Sequence, residues 1–204
     1  MVNGTKYSPM QFIKFGSYRQ HDAQSKEPIE WVVLEANDQD ALLVSRYGLD
    51  CKKYHRYWAD IAWENCDLRK WLNDEFLNEA FSEEELQRIK LSEVVNDDNP
   101  KHRIRGGNNT QDRVFCLSLA EAERYFKNDS ERRCQPTDLA IAHWAFVSDD
   151  GHCWWWLRSP GFNQYHSSGV YAAGPLDPDG VCVDGDHYAV RPALRLIWES
   201  AAAA

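Results

Sequence analysis

Trp154-Trp155-Trp156-Leu157-Arg158-Ser159-Pro160-Gly161 and Ala189-Val190-Arg191-Pro192-Ala193-Leu194 are the two stretches whose reading decides the fold. Each joins bulky or apolar side chains to one arginine, with Pro or Gly to fix the chain direction. Trp154, Trp155, Trp156, Arg158 and Arg191 therefore read as scaffold. The interval between them has a restricted alphabet. Lys, Glu, Gln, Met and Trp supply 42 of the 204 residues, about one in five, so the 28-residue window Phe162–Ala189 should hold about six; it holds one, Gln164. Every other residue there is of a type that a codon AAC or AAT yields when its two adenines are replaced at random. A glycine-rich run of β-turns that avoids long flexible side chains explains the count equally well. The composition also suits a recognition surface: Tyr and His give contact area at low rotamer cost, and Ser, Gly and Asn give adaptable hydrogen bonds.

Upstream, Ile29–Glu35 and Ala41–Ser45 are apolar runs separated by Asn37-Asp38-Gln39-Asp40, which predicts a β-hairpin, and Phe15-Gly16-Ser17-Tyr18 reads as a further strand end. Leu68, Trp71, Leu72 and Phe76 recur at helical spacing within Glu64–Phe81. Ser82-Glu83-Glu84-Glu85 and Ser118-Leu119-Ala120-Glu121 are capping boxes that each open a short helix. Thr137 caps a helix running through Leu139, Ala142, His143 and Phe146. Val95–Arg113 lacks periodicity and reads as a long surface loop, and Val190–Ile197 reads as one final strand. Hairpin, helices and then an irregular C-terminal β region make an α+β chain, read as a single domain over 1–200. Ala201–Ala204 reads as an appended tail.

A chain of this length buries a core without a metal or disulfide. No run of 18 apolar residues exists, so no membrane span is expected, and the N-terminus lacks a signal-peptide pattern, which implies a cytoplasmic setting unless the chain is exported as part of a larger system. The net charge of -9 argues against a broad nucleic-acid surface. Trp 9, Tyr 9 and Phe 8 are a heavy ring load for a mean hydropathy of -0.64. Six scattered cysteines without a CxxC pair read as reduced thiols, and not as a zinc or redox site.

Nucleophile elbow, phosphate loop and HExxH patterns are all absent, and Arg105-Gly106-Gly107 lacks the flanking strand and helix of a phosphate cradle. His143, His152, His166 and His187 form no ligand pair at helical spacing, so neither a catalytic residue nor a metal centre is assigned. Asp177, Asp179, Asp184 and Asp186 place four carboxylates in the loop 177–186, able to supply several of the six to eight oxygens calcium takes although not in the EF-hand pattern, or else to stand as solvated turn aspartates.

Gly16-Ser17-Tyr18, Ile29–Leu34, Leu68–Asn73, Phe81–Glu85, Val114–Ser118, Arg133–Thr137, the WWLRSPG run and the VRPAL run together resemble an uncharacterised bacterial domain family. The likeness extends from about Phe15 to Leu196. That family is similar to C-type-lectin-like domains of the formylglycine-generating-enzyme kind, some of which are the variable proteins of diversity-generating retroelements. There, a reverse transcriptase copies a template with errors at adenines into the C-terminal coding repeat. The resemblance implies a C-type-lectin-like fold with N-terminal hairpin and helices packed on the C-terminal β region. It implies further that the segment 162–189 faces a ligand over a rigid scaffold. Formylglycine-generating chemistry itself needs a reactive cysteine pair, and no matching pair is visible.

The leading expectation is that this is a binding module of a bacterial or phage protein, with no cofactor, for a protein or glycan ligand. Its recognition surface comprises Phe162, Asn163, Tyr165, His166, Ser167, Tyr171, Asp177, Asp179, Asp184, Asp186, His187 and Tyr188. The alternatives are a calcium-dependent carbohydrate binder or an enzyme using loop 177–186, and a structural domain of a larger surface or phage protein.

Overall fold

The computed structural model describes residues 8–22 and 24–197. The tail at Ala201–Ala204 and the first residues lie outside them. The architecture is mixed α+β, built on two five-stranded sheets.

The first sheet begins with the expected hairpin: β2 (Lys26–Ala36) pairs antiparallel with β3 (Asp40–Ser45). The Asn37 side-chain oxygen closes the turn, accepting from the backbone N–H groups of Gln39 at 2.7 Å and Asp40 at 2.9 Å. β1 (Phe12–Arg19) adds to β2 with a bulge at Gly16, whose φ is +66°. A Cβ there would sit 2.5 Å from the Phe81 ring, so both the dihedral and the packing demand glycine. The Asp67–Ala80 segment runs as α1 (Asp67–Trp71), a π-helical turn (Leu72–Phe76) and α2 (Leu77–Ala80). Leu68, Leu72 and Phe76 are buried, as their spacing predicts, and Phe76 lies 5.1 Å from the Tyr18 ring. Both capping boxes are present, opening α3 (Glu83–Arg88) and α4 (Leu119–Tyr125). α5 (Asp129–Arg132) follows.

Three expectations are corrected. The Thr137-capped helix, α6 (Asp138–Ala142), stops before Phe146, because Trp144 adopts φ +77° and turns the chain out. Val95–Arg113 is not a free surface loop. β5 (Ser92–Val94) pairs with β6 (Thr110–Asp112) at its base, and Asn99 is fully buried, its amide donating to the carbonyls of Pro160 and Pro178 at 2.7 Å each. Short pairings and remote carbonyl contacts leave no periodic trace. Finally, Val190–Ile197 is not one strand. β11 (Ala189–Val190) lies in the second sheet and β12 (Ala193–Ile197) in the first, with Arg191-Pro192 as the crossing point.

The first sheet has the order β1-β2-β3-β12-β7, with β7 at Val114–Phe115. The second has the order β10-β9-β8-β11-β4, made of β4 (Asp50–Cys51), β8 (Trp155–Pro160), β9 (His166–Val170), β10 (Leu176–Cys182) and β11. The core is dominated by fully buried rings, Trp31, Trp63, Trp155 and Trp156 among them. Among the described residues no helix is long and apolar enough to cross a membrane.

Candidate ligand-binding face

The two sequence stretches that bracket the window meet in space. Ala189 pairs in parallel with Trp155, so the entry and exit of the 28-residue excursion lie side by side. The buried Arg191 guanidinium stacks 4.8 Å from the Trp155 ring. It donates to the Ser45 carbonyl at 2.9 Å and the Arg132 carbonyl at 3.1 Å. Trp155 Nε1 donates to the same Arg132 carbonyl at 3.1 Å. Arg158 anchors the other side, donating to the carbonyls of Cys116 and Val95 at 2.8 Å each and pairing with Glu121. Burial pushes the Glu121 carboxyl up, and the Arg158 charge more than reverses this, leaving it below the ordinary glutamate range. Trp155, Trp156, Arg158 and Arg191 are thus buried supports. Trp154 is only partly buried and belongs to the surface as well.

Between the clamps the chain folds as the β9–β10 hairpin, antiparallel on β8. Burial divides the window: β9 is buried almost throughout, and most of the exposed side chains stand on the turns around the strands. Phe162, Tyr165, Tyr171, Asp179, Asp186 and His187 are exposed, and Asn163, His166 and Asp184 are half-buried. Ser167, Asp177 and Tyr188 are buried, which corrects their assignment to the outer surface. The Ser167 hydroxyl donates to the Leu157 carbonyl at 3.0 Å. Asp177 accepts the Gly180 N–H at 3.1 Å, closing the turn in β10. Tyr188, 4% exposed, stacks on Trp156 with centroids 4.4 Å apart and lies 5.5 Å from Trp154. Its ring lies directly over Gly169, where a Cβ would come within 2.6 Å.

Two clusters of rings reach this face. In one, Trp58 and Tyr165 have centroids 4.9 Å apart, with Tyr57 the next residue along the chain. Trp58 and Tyr57 are 64% and 67% exposed, unusual for rings in a chain with an ample core. In the other, Phe146 stacks on Trp154 at 3.8 Å and 13°, and both line a groove of about 500 Å³ with Tyr171, Ser148, Asp149 and Asp150. Trp144, 75% exposed, precedes Phe146 by two residues in the chain. One backbone segment joins the clusters: Val183 N–H donates to the Tyr165 carbonyl and Phe146 N–H to the His187 carbonyl. Val183 and His187 are four residues apart, so the segment spans at most about 14 Å, within reach of one ligand. The sequence reading missed Tyr57, Trp58, Trp144 and Phe146. The available signal was two aromatic pairs without helical or strand periodicity, Tyr57-Trp58 and Trp144…Phe146, set in polar surroundings.

The four aspartates of loop 177–186 do not converge. Asp177 is buried, Asp179 pairs with Lys101 and His102, and Asp186 pairs with His187. Hydrogen bonds from Lys101 and then His102 hold the Asp179 carboxyl below the usual range. Among the described residues no three His, Cys, Asp or Glu side chains gather as a metal-binding group. The geometry gives the calcium reading no support.

The sequence profile of a family described as Domain of unknown function (DUF6273) matches residues 38–198. The chain belongs to that family. The DUF6273 span begins in the β2–β3 turn and takes in both tryptophan and arginine clamps and the entire window. No curated protein and no solved structure matches the chain significantly.

Proposed function

We propose that this DUF6273 domain is a ligand-binding protein whose C-terminal face is diversified by a diversity-generating retroelement, on a C-type-lectin-like scaffold. The observation that supports it best is the division of the window. Its ends are locked together by Trp155, Arg158 and Arg191, while its outward positions present Phe162, Tyr165, Tyr171, Asp179, Asp186 and His187 from the β9–β10 hairpin and the turns that flank it. The restricted residue alphabet falls on that same segment. Trp58 and the Phe146–Trp154 pair extend the face with fixed rings, of the kind that anchor interfaces. A protein or glycan is the ligand class that two aromatic clusters on an open face suit.

The test is to sequence the gene and its flanks across a population of the source organism. The expected result is a second, near-identical repeat beside a reverse-transcriptase gene. Codon changes should be confined to template adenines at outward positions such as 162, 165, 171 and 187, with Ser167, Asp177 and Tyr188 constant. Substitutions scattered evenly over the chain, with no second repeat, would overturn the proposal.

A further inference from the structure

Inside the window three side chains line up in a way that ligand binding does not require. Cys182 Sγ lies 3.6 Å from His166 Nε2, and His166 Nδ1 lies 2.7 Å from Asn163 Oδ1. Local structure dictates the arrangement. Asn163 to His166 is a turn closed by His166 N–H donating to the Asn163 carbonyl at 3.1 Å. Cys182 sits opposite His166 in the β9–β10 register.

The proton positions follow from the hydrogen bonds. Asn163 Oδ1 also accepts the Tyr165 backbone N–H at 2.9 Å, so the atom facing His166 is the oxygen and not the amide nitrogen. An oxygen at 2.7 Å requires a proton on Nδ1. The unprotonated Nε2 lone pair then faces the thiol. Burial lowers the affinity of the His166 ring for a second proton, which keeps it neutral at pH 7 with Nε2 free to accept a proton. Cys182 differs from the other five cysteines, all buried, in being partly exposed. The exposed Phe162 ring, 4.2 Å from the His166 ring, forms an apolar wall beside the pair.

We propose that Cys182 is a nucleophile, with His166 as its base and Asn163 as the residue positioning that base, and that it takes an acyl group from an activated ester or thioester. The thiol proton passes to His166 Nε2, and the sulfur adds to the carbonyl carbon. The bond from that carbon to the leaving oxygen or sulfur breaks, and the leaving group takes the proton from Nε2. The product is a thioester on Cys182; water then cleaves it to a carboxylic acid and restores the thiol. The inference stands apart from retroelement diversification and survives its failure.

The test uses the whole chain and p-nitrophenyl acetate. The expected result is one acetyl group per chain, located on Cys182 by peptide mass spectrometry and abolished in Cys182→Ser. His166→Gln should lower the acetylation rate about 100-fold at pH 7. Asn163→Ala should displace the pH–rate profile, which a merely structural residue would leave in place. If the variants fail to fold, the wild-type profile decides. A base of this kind gives an inflection below about 6.5, whereas simple thiol ionisation gives one near about 8.5. Acetylation spread over lysines, or an inflection only at thiol ionisation, overturns the proposal.

Discussion

Arg191→Ala should separate scaffold from surface most sharply. The Arg191 guanidinium is buried, donates to two backbone carbonyls at 2.9 and 3.1 Å and stacks on Trp155 at 4.8 Å, with Phe126 at 5.3 Å. A hydrogen bond from a charged donor contributes about 1.5–3 kcal/mol. The Arg132 carbonyl keeps the Trp155 indole as a donor, so only the Ser45 bond counts in full. A desolvated cation–π contact adds about 2 kcal/mol, and release from burying a charge offsets part of the sum. The expected loss is about 3–5 kcal/mol, a large share of the roughly 5–15 kcal/mol that holds a domain together. Arg191→Lys should recover less than half, because an ammonium cannot reproduce the planar fork. Urea unfolding followed by circular dichroism reads this as a lower midpoint at unchanged slope. Tyr165→Ala, at an exposed position, should lose no more than about 1 kcal/mol by the same assay. An Arg191→Ala loss under about 1 kcal/mol would refute the clamp.

Other outcomes are equally checkable. Tyr188→Ala, which removes a buried ring stacked on Trp156, should cost about 3–5 kcal/mol in urea unfolding; a variant with wild-type stability would return Tyr188 to the ligand surface. Glu121, Asp40 and Asp67 all hold depressed carboxyl values, in Glu121 and Asp40 because arginine or lysine partners outweigh burial and in Asp67 chiefly through its Arg56 hydrogen bond. Depressed carboxylates stabilise the fold above the unfolded range near pH 4, and that stability is lost as pH falls through the folded values. The urea midpoint should therefore be level from pH 5 to 7 and drop below about pH 4; a midpoint that rises on acidification contradicts the ion pairs. Burial pushes the Cys51 and Cys66 thiols up to about 12, so a disulfide reagent at pH 8 should spare both in the native chain, label Cys182 and reach all six cysteines only in denaturant.

The elements that could be read from sequence carry local rules. The β2–β3 hairpin has Asn37 in its turn, and the two capping boxes put a serine and a glutamate three residues apart. These depend on neighbours within a few positions and are visible without a fold. Arg191 is different. Its neighbours are Trp155, Ser45 and Arg132, and no local pattern reveals that it stands where the chain leaves one sheet for the other. The window was found through residue types alone, so its inward and outward positions could not be told apart; Ser167 and Tyr188 share an alphabet with Tyr165 and His187 yet face the core. Trp58 lies far from the window in sequence and joins its surface only through folding, and Phe146 reads as part of a helix that in fact ends at Ala142, so its place on the surface was hidden.

Substituting every position from 162 to 189 in turn and measuring the protease resistance of the full set tests the permissive surface on its rigid scaffold most directly. The expected pattern follows burial: near-neutral substitutions at the exposed Phe162, Tyr165, Tyr171, Asp179, Asp186 and His187, and marked losses at the buried Ser167, Gly169, Asp177 and Tyr188. Uniform loss across the window would show that the segment belongs to the core throughout, and would contradict a permissive surface on a rigid scaffold.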